Sequence, residues 1–324
     1  MSSSSSSATD VFENGKYETI PKNVDSTGGN PDGLPVLPPE PLLIVSPMEE
    51  GEFPVLILLH GYMLLNSFYS ELLQHIASHC FIVVAPQLSL LLRRSQNGQL
   101  YTCRGKDCTE DIRSAGAVTD WLRGGLSAAL PSQVTPNLAK LALSGHSRGG
   151  KTAFALALGM LSITTSIPFR ALIGIDPVDG SEGSQTPPPV LTYKTQSFDL
   201  EMPVMVIGAG LSEVKKCCMV PPCAANGVNH KEFFNECKPP ACHFVAKDYG
   251  HMDMLDDKTP GLRGILADCI CKNGKSREPM RKFVGGIVVA SLRAYLGGDS
   301  TDLITVRDTP EIAPVELSAI EFLS

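Results

Sequence analysis

Short apolar runs alternate with longer amphipathic stretches along most of this chain. Val55–Leu59 and Phe81–Ala85 are apolar throughout and have the length of buried strands. Four more strands are predicted at Leu141–Ser144, Ala171–Ile175, Val204–Ile207 and His243–Ala246, and Leu42–Ser46 is predicted to be an edge strand. We expect the strand that begins at His243 to be the last one.

Helix signals fall between these strands. The four predicted helices run from Asn66 or Ser67 to about Ser78, from Thr109 to about Arg123, over Lys151–Gly159 and over Met280–Leu296. Polar N-cap residues begin the first two, and glycines follow the ends of the second and fourth. Buried strands that alternate with helices are typical of a mostly parallel sheet with helices on both faces, so we predict the α/β class.

Composition divides the chain into three parts. Residues 1–40 are rich in Ser, Gly, Asn and Pro and are predicted to be a flexible leader. Residues 41–298 contain every predicted strand and helix, and residues 299–324 are predicted to be an acidic tail. The serine run at the start is typical of plastid transit peptides. Because Asp10, Glu13 and the lack of arginine are not typical of them, a cleaved targeting peptide stays an open question.

Charge and hydropathy exclude some classes of function. The 324 residues carry a net charge of −7 without a basic block, so binding of nucleic acid is not indicated. The continuous apolar runs are far shorter than the roughly 18 residues that a membrane-spanning helix needs. We therefore do not expect an integral membrane protein. The hydrophobic fraction of 43% is sufficient for a sizeable core.

A G-x-S-x-G motif stands between a predicted strand and a predicted helix, with Ser147 between Gly145 and Gly149. A serine on such a sharp turn takes a strained conformation that lifts its hydroxyl above the sheet, near the positive end of the helix. Its glycine neighbours must be small because the chain packs against itself there. The motif predicts Ser147 as a nucleophile. The alternative is a glycine-rich structural turn.

A serine hydroxyl needs a base within hydrogen-bond reach to act as a nucleophile. In folds with this turn, the partners follow in the order serine, acid, histidine. Of the three histidines after Ser147, His251 lies in a loop directly after the last predicted strand. His243 begins that strand and is expected to pack or to face solvent, and His230 has the pattern of an exposed helix start. We therefore predict His251 as the base.

The acid of the site has two candidates. Asp176 ends a predicted strand, where a carboxylate is well placed to orient an imidazole, although an Asp-Pro pair is also a common turn initiator. Glu213 occupies the corresponding place one strand later and is the alternative acid. Asp179 is expected to brace the loop after Asp176. We predict Asp176 as the acid.

An ester-cleaving site also needs donors for the oxyanion of the tetrahedral intermediate. One predicted donor is the backbone N–H of Arg148, which follows the nucleophile. The other is the N–H of Tyr62, in a loop where Gly61 permits a turn. We expect His60 to be structural. The ring of Tyr62 either lines the pocket or is an ordinary loop aromatic.

Several of these stretches together resemble plant chlorophyllases. The matching motifs are Leu59–Tyr62, Asn66–Ser70, Ala85–Leu88, Ser144–Thr152, Ile173–Gly180 and Lys247–Asp253. The resemblance extends from about Pro41 to Gly298 and goes well beyond the serine turn itself. It implies an α/β-hydrolase fold and hydrolysis of the phytyl ester of chlorophyll to chlorophyllide and phytol. It also places the family's serine, aspartate and histidine on Ser147, Asp176 and His251.

The resemblance carries further expectations. It implies a chloroplast location, with the cytosol or endomembranes as alternatives, and peripheral contact with the thylakoid or envelope membrane. No cofactor or protein-bound metal is required, since the magnesium belongs to the pigment. A general lipase or polyester-type carboxylesterase, and a non-catalytic pigment-binding module on a hydrolase scaffold, are the alternative functions.

The pocket and the cysteines complete the expectations. Candidate residues to line an apolar groove are Met63, Phe68, Met252 and Met254. The stretch Leu90–Cys108 stands where the family would have a shorter loop, and its two cysteines, at 103 and 108, predict a small bridge or a lid element. The cysteines after position 216 lack zinc-type spacing. They predict buried thiols, or disulfides among Cys223, Cys237 and Cys242.

Overall fold

A nine-stranded sheet forms the centre of the protein. The computed structural model describes residues 11–26, 37–88, 92–94, 100–102, 107–218 and 220–324. Its strands, in chain order, are β1 (Thr19–Val24), β2 (Leu42–Pro47), β3 (Gly51–Leu59), β4 (Ile82–Pro86), β5 (Leu92–Arg94), β6 (Leu100–Thr102), β7 (Val134–His146), β8 (Ala171–Ile175), β9 (Gly180–Ser181), β10 (Ser184–Gln185), β11 (Val204–Ala209), β12 (Ala241–Ala246) and β13 (Leu317–Leu323). β5 with β6, and β9 with β10, form two small separate ribbons.

The order of the strands in the main sheet is β1-β2-β4-β3-β7-β8-β11-β12-β13. The six strands from β4 to β12 are parallel to one another, whereas β1, β2 and β13 pair in antiparallel fashion at the two sides. The carboxyl ends of the six parallel strands therefore lie along one edge. Loops that leave this edge are the usual place for a binding site in open α/β sheets.

Helices cover both faces of the sheet. They are α1 (Ser70–Ser78), α2 (Thr109–Ala129), α3 (Arg148–Ala157), α4 (His230–Glu236), α5 (Gly261–Ile270), α6 (Glu278–Gly297) and α7 (Thr301–Asp308). Side chains alternate along the strands, so each face of the sheet has its own core. In β3, Leu56 and Leu58 pack in one core with α1, α6 and α7. Val55 and Ile57 pack in the other core with α2, α3 and α4. The predicted mostly parallel sheet with helices on both faces is confirmed.

The predicted flexible leader is wrong for residues 11–24, which pack on the domain and pair with its sheet. Val11 and Phe12 are buried against α6, and the ring of Phe12 stacks on that of Phe283 at 6.5 Å between centroids. β1 then pairs with β2 and forms the edge of the sheet. The prediction of Leu42–Ser46 as an edge strand is therefore wrong, because β1 covers β2 and every residue of β2 is buried. The sequence signal for β1 is weak because four of its six residues are exposed, so burial imposes little apolar pattern on it.

The predicted acidic tail is also folded. α7 and β13 lie within residues 299–324, so β12 is not the last strand of the sheet as expected. Two of the acidic residues pair with β12 and the turn after it: Glu316 Oε1 lies 2.6 Å from Lys247 Nζ, and Glu321 Oε2 lies 2.8 Å from His243 Nδ1. Acidic residues of the predicted tail therefore contact the neighbouring strand β12 and the turn after it.

Helix boundaries differ in two places. Asn66–Tyr69 is a 3₁₀ turn that precedes α1, rather than the first turn of the helix itself. α2 continues past the expected stop at Gly124 and Gly125 to Ala129, and Leu126 and Ala129 in this added turn are buried. Gly125 packs against the ring of Trp121, where a Cβ would lie 2.1 Å from that ring. No helix in the described ranges combines the length and the apolar character needed to cross a bilayer.

Candidate active site

Ser147 lies on a sharp turn between the end of β7 and the start of α3. Its backbone has φ 57° and ψ −122°, a conformation that costs free energy for a residue with a side chain. The turn is held by its neighbours, since the N–H of Ser147 donates to the carbonyl of Ile175 over 3.0 Å and its carbonyl accepts from Val178 over 3.1 Å. This is the strained strand-to-helix turn that the motif predicts.

The glycines on either side of the turn have no room for a side chain. A Cβ on Gly145 would lie 2.2 Å from the carbonyl oxygen of Gly149, and one on Gly149 would lie 2.3 Å from the carbonyl oxygen of Leu59. Backbone atoms cannot move away as a flexible side chain can. Only glycine therefore allows β3, β7 and α3 to approach this closely.

Three predicted site residues meet at the carboxyl edge of the sheet. Nε2 of His251 is 2.8 Å from Oγ of Ser147, and Nδ1 of His251 is 2.6 Å from Oδ2 of Asp176. The three side chains come from the ends of β7, β8 and β12, and all three residues are buried. Because Asp176 accepts the Nδ1 proton, Nε2 is left to accept the proton of the serine hydroxyl.

The carboxylate of Asp176 receives several hydrogen bonds. Ser212 donates to Oδ2, and the backbone N–H of Ala209 donates to Oδ1 over 3.3 Å. Burial by itself would raise the pKa of Asp176, but the hydrogen bond and charge of His251, with the hydroxyl of Ser212, outweigh burial and lower the pKa to about 2. Asp176 is thus a carboxylate near neutral pH.

The alternative acid has other partners. Oε1 of Glu213 lies 2.9 Å from Nζ of Lys231 and accepts a hydrogen bond from Asn229 over 2.7 Å. Nδ1 of His251, the atom that an acid would orient, is bonded to Asp176 instead. The geometry therefore favours Asp176 over Glu213.

Asp179 braces the loop that follows Asp176. Its Oδ1 is 2.8 Å from the ammonium of the fully buried Lys151, and its Oδ2 accepts from the N–H groups of Val190 and Leu191. A buried ion pair with these additional hydrogen bonds connects α3 to the 177–191 loop.

Of the two other late histidines, His243 is packed in the interior, whereas His230 is not where the sequence suggested. His230 was expected at an exposed helix start, but it is 1% exposed and its Nε2 lies 4.0 Å from Oδ1 of Asp176. Its ring fits over Gly208, where a Cβ would lie 2.3 Å from it. Nδ1 of His230 is 2.8 Å from Nε2 of His243, which is also buried. Burial lowers the pKa of His230 to about 4, so the ring is neutral near pH 7.

The loop after β3 packs directly against the serine turn. A Cβ on Gly61 would lie 3.2 Å from the Cβ of Ser147, so this backbone reaches the nucleophile, and Tyr62 follows next. His60 holds the loop in place. Its Nδ1 bonds to the carbonyl of Gly61 over 2.8 Å, and its Nε2 accepts from the N–H of Leu88 over 2.9 Å. Burial lowers the pKa of His60, consistent with a neutral structural ring.

The two predicted oxyanion donors are linked through their side chains. Arg148 begins α3, so its N–H has no acceptor within the helix. Its guanidinium lies 5.3 Å from the centre of the Tyr62 ring, and its Nε donates to Asp111 over 2.7 Å. Asp111 therefore holds the arginine against the loop that carries the N–H of Tyr62.

An apolar cavity of about 290 Å³ opens beside Ser147 and His251. Its wall includes Tyr62, Met63, Leu64, Met252, Arg263, Ala267, Ile270 and the cysteines 223 and 271. Of the four residues predicted to line a groove, Met63 and Met252 do so. Phe68 and Met254 instead pack in the core, with 1% and 0% of their surface exposed.

The cavity wall contains a disulfide. Cys223 is bonded to Cys271 across 48 residues. Cys223 does not pair with the cysteines that we predicted for it, because Cys237 and Cys242 are buried free thiols, whose pKa values burial raises. Cys108 is a buried free thiol, and Cys103 lies outside the described residues. Spacing along the chain does not determine which cysteines meet in space.

Sequence reasoning missed three polar residues around the site. Ser212 follows a glycine turn at the end of β11, the same edge as the nucleophile, which was an available signal. Tyr69 and His146 are fully buried and bond to each other over 2.6 Å. Both lie inside motifs that we recognised. His146 occupies a position of the G-x-S-x-G motif at which any residue is allowed, and Tyr69 is an aromatic residue in a short turn, so neither gave a sign of its partner.

The strand order and the serine on the β7–α3 turn define the α/β-hydrolase class. The family model described as Chlorophyllase matches residues 7–324. The chain belongs to the chlorophyllase family, and the resemblance inferred from the motifs is confirmed.

Curated relatives agree with the family model. Chlorophyllase-2 of Arabidopsis thaliana is 51% identical over 328 residues, which cover 99% of each chain. Chlorophyllase-1 of Arabidopsis thaliana is 45% identical over 310 residues, which cover 95% of this chain and 90% of the relative. A relative from Citrus unshiu named "Chlorophyllase-1, chloroplastic" is 43% identical over 318 residues, covering 97% of this chain and 88% of the relative.

Proposed function

We propose that this protein is a serine hydrolase that cleaves the phytyl ester of chlorophyll to chlorophyllide and phytol. The observation that carries the proposal is the pair of hydrogen bonds from Ser147 through His251 to Asp176. Membership of the chlorophyllase family supports the choice of ester. In this proposal, Ser147 is the nucleophile, His251 the general base and Asp176 the acid that orients it.

Acylation begins with the proton of His251 on Nδ1, bonded to Asp176, and with Nε2 free to accept a proton from Ser147. Nε2 of His251 takes the proton of Ser147 as Oγ attacks the ester carbonyl. Asp176 stabilises the imidazolium that forms. The Nε2 proton is then transferred to the phytyl oxygen, the carbon–oxygen bond breaks, and phytol leaves. Water repeats the same steps on the acyl-enzyme, with His251 as base and then acid, and releases the carboxylic acid, chlorophyllide.

The negative charge of the tetrahedral intermediate is held by the backbone N–H groups of Arg148 and Tyr62. The position of Arg148 at the start of α3 adds the partial positive charge of the helix end. The contact between the Arg148 guanidinium and the Tyr62 ring keeps the two donors together. Donors fixed in advance need no rearrangement when charge develops, and this is the largest catalytic contribution in many acyl transfers.

The surroundings of the cavity suit a lipid-like substrate. The wall is mainly apolar, and the neighbouring helix α5 exposes 73% of Leu262 and 59% of Ile265. Exposed apolar side chains beside a site of this kind favour contact with a lipid surface. We propose that the protein works in peripheral contact with a thylakoid or envelope membrane in the chloroplast, rather than in the cytosol or endomembranes. The Citrus unshiu relative is named as chloroplastic, which supports that location.

Two other functions fit the same fold. A general lipase or polyester-type carboxylesterase would use the same three residues on other esters, and a pigment-binding module would not use them. The test compares purified protein on chlorophyll a and on p-nitrophenyl butyrate. We expect chlorophyllide and phytol in equal amounts. Turnover of the small ester alone would indicate a general esterase, and pigment binding without either product would indicate the binding module.

A further inference from the structure

Two buried polar side chains beside the site take no part in the proposed chemistry. The hydroxyl of Tyr69 is 2.6 Å from Nδ1 of His146, and Nε2 of His146 is 2.9 Å from the backbone oxygen of His251. The same Tyr69 hydroxyl lies 3.1 Å from the backbone nitrogen of Gly61. These three contacts form a continuous path from the loop after β3 to the loop after β12.

The chemistry of the end groups determines the direction of every hydrogen bond in this path. A carbonyl oxygen can only accept, so Nε2 of His146 must carry the proton donated to His251. Nδ1 of the neutral ring is then an acceptor, and the hydroxyl of Tyr69 must donate to it. The oxygen of Tyr69 is thus free to accept from the N–H of Gly61. Every donor and every acceptor in the path then has a partner in the correct role.

Electrostatics keep this arrangement in a single protonation state. Burial, with the proximity of His251, lowers the pKa of His146 to about 3, and burial raises the pKa of Tyr69. Near neutral pH, His146 is therefore neutral and Tyr69 keeps its proton. The path then behaves as a fixed connection.

The short turn that carries Tyr69 is itself held in place by hydrogen bonds. The 3₁₀ turn that carries it begins at Asn66, whose side chain donates to the carbonyl of Ala85 over 2.9 Å and whose N–H donates to Gln87 over 3.0 Å. The end of β4 therefore anchors the turn. Two motifs that stood out in the sequence, Asn66–Ser70 and Ala85–Leu88, are explained by this anchoring.

We propose that Tyr69 and His146 are positioning residues that connect two loops of the site. They clamp the loop after β3, which carries Gly61 and Tyr62 and is called the oxyanion loop below, to the loop after β12, which carries His251. This inference rests on the proposed function, because it assigns Tyr62 next to Gly61 as an oxyanion donor and His251 as the base. The clamp passes through the position just before the nucleophile. It therefore sets the distances among donor, nucleophile and base, without contact to the substrate.

The strand order explains why a connection between the two loops is useful. The oxyanion loop follows β3, and the base follows β12, with β7, β8 and β11 between them in the sheet. Both loops also contact Ser147, one through Gly61 and the other through His251, and the path adds a connection between the two loops themselves. A displacement of about 1 Å in a reacting group can cost on the order of 100-fold in rate, so a direct connection has a clear effect on turnover.

The test compares Tyr69→Phe with Tyr295→Phe. Each variant removes one hydroxyl from a largely buried ring, but the Tyr295 hydroxyl lies 3.4 Å from Cys242, near the start of β12 at the opposite edge of the sheet. We expect Tyr69→Phe to lower kcat about 10- to 100-fold on both chlorophyll and p-nitrophenyl butyrate, with KM within about twofold of wild type. Tyr295→Phe should keep both constants within about twofold.

A wild-type kcat for Tyr69→Phe, or equal losses of kcat in the two variants, would overturn the clamp. A second measurement needs neither substrate nor variant: ¹⁵N spectra of labelled histidines should show His146 as the Nε2–H tautomer, without titration between about pH 5 and 8. An Nδ1–H tautomer would also overturn it. If Ser147→Ala is inactive while Tyr69→Phe is fully active, the proposed function stands and only the clamp fails.

Discussion

The hydroxyl of Ser212 donates a hydrogen bond over 2.5 Å to Oδ2 of Asp176, the same oxygen that accepts the Nδ1 proton of His251. Ser212 follows β11 and Asp176 follows β8, which are neighbours in the sheet. The hydroxyl therefore fixes the carboxylate from the side and helps keep it ionised. A hydrogen bond to a charged group stabilises it by roughly 1.5–3 kcal/mol, so Ser212 has a measurable share in orienting the base.

We expect Ser212→Ala to lower kcat about tenfold, with little change in KM, because the carboxylate loses one of its donors and is less firmly oriented. Steady-state kinetics on p-nitrophenyl butyrate measure the effect. Ser291→Ala is the matched control, since it removes another buried hydroxyl, bonded to the carbonyl of Val288 in α6. Equal kinetics in the two variants would contradict a role for Ser212.

The assignment of the acid is tested with two conservative variants. Asp176→Asn should lower kcat by about 10⁴-fold, since an amide at this place no longer stabilises the imidazolium. Glu213→Gln should stay within about threefold of wild type, because the Glu213 carboxylate pairs with Lys231 instead. Loss of activity only in Glu213→Gln would reverse the assignment.

Buried histidines predict how stability depends on pH. His75 is buried with its Nε2 2.8 Å from the carbonyl of Val11, and burial lowers its pKa to about 4. In the unfolded chain the pKa returns to about 6.5, so between these values the unfolded state binds a proton that the folded state does not. The stability from neutral His75 is complete above pH 6.5 and is lost as pH falls. His146 and His230 add to the effect in the same direction.

Replacing His75 by Gln keeps a donor for the carbonyl of Val11 but removes the titration. We expect the slope of the unfolding free energy between about pH 6 and 4.5 to become shallower by about 1.4 kcal/mol per pH unit, the value for one proton. Urea titrations at several pH values measure it. An unchanged slope would mean that folded His75 binds the proton as readily as the unfolded chain does.

Glycines at the serine turn and on a helix surface should respond in opposite ways to alanine. Gly149→Ala would place its Cβ 2.3 Å from the carbonyl oxygen of Leu59, so we expect loss of activity and a lower melting temperature. Gly124 in α2 has open space around it. Gly124→Ala should therefore stabilise the protein by about 0.5–1 kcal/mol without affecting activity. A fully active Gly149→Ala variant would disprove the tight packing of the turn.

Patterns within short segments predicted the central part of this molecule. The strands at 55–59, 81–85 and 171–175 are recognisable because each is buried on both faces. Ser147 and His251 were predictable from local motifs combined with chain order. Their meeting in space is a consequence of parallel strands, whose carboxyl ends share one edge.

Relationships between distant segments were not predictable in this way. His230 has polar neighbours in sequence and so resembled an exposed residue, but its environment comes from Gly208 on β11 and His243 on β12. β13 has half-buried residues and charged partners, which weaken its apolar pattern. The disulfide between Cys223 and Cys271 joins segments 48 residues apart, a distance over which spacing carries no information.

Formation of chlorophyllide by Ser147→Ala tests the central claim most directly. Ser144→Ala is the control, since Ser144 is also buried on β7 and bonds to the carbonyl of Ile57. Purified wild type, Ser147→Ala and Ser144→Ala are incubated with chlorophyll a, and the products are separated by chromatography. The proposal predicts chlorophyllide and phytol from wild type and Ser144→Ala, and none from Ser147→Ala. Equal product from Ser147→Ala and wild type would contradict it.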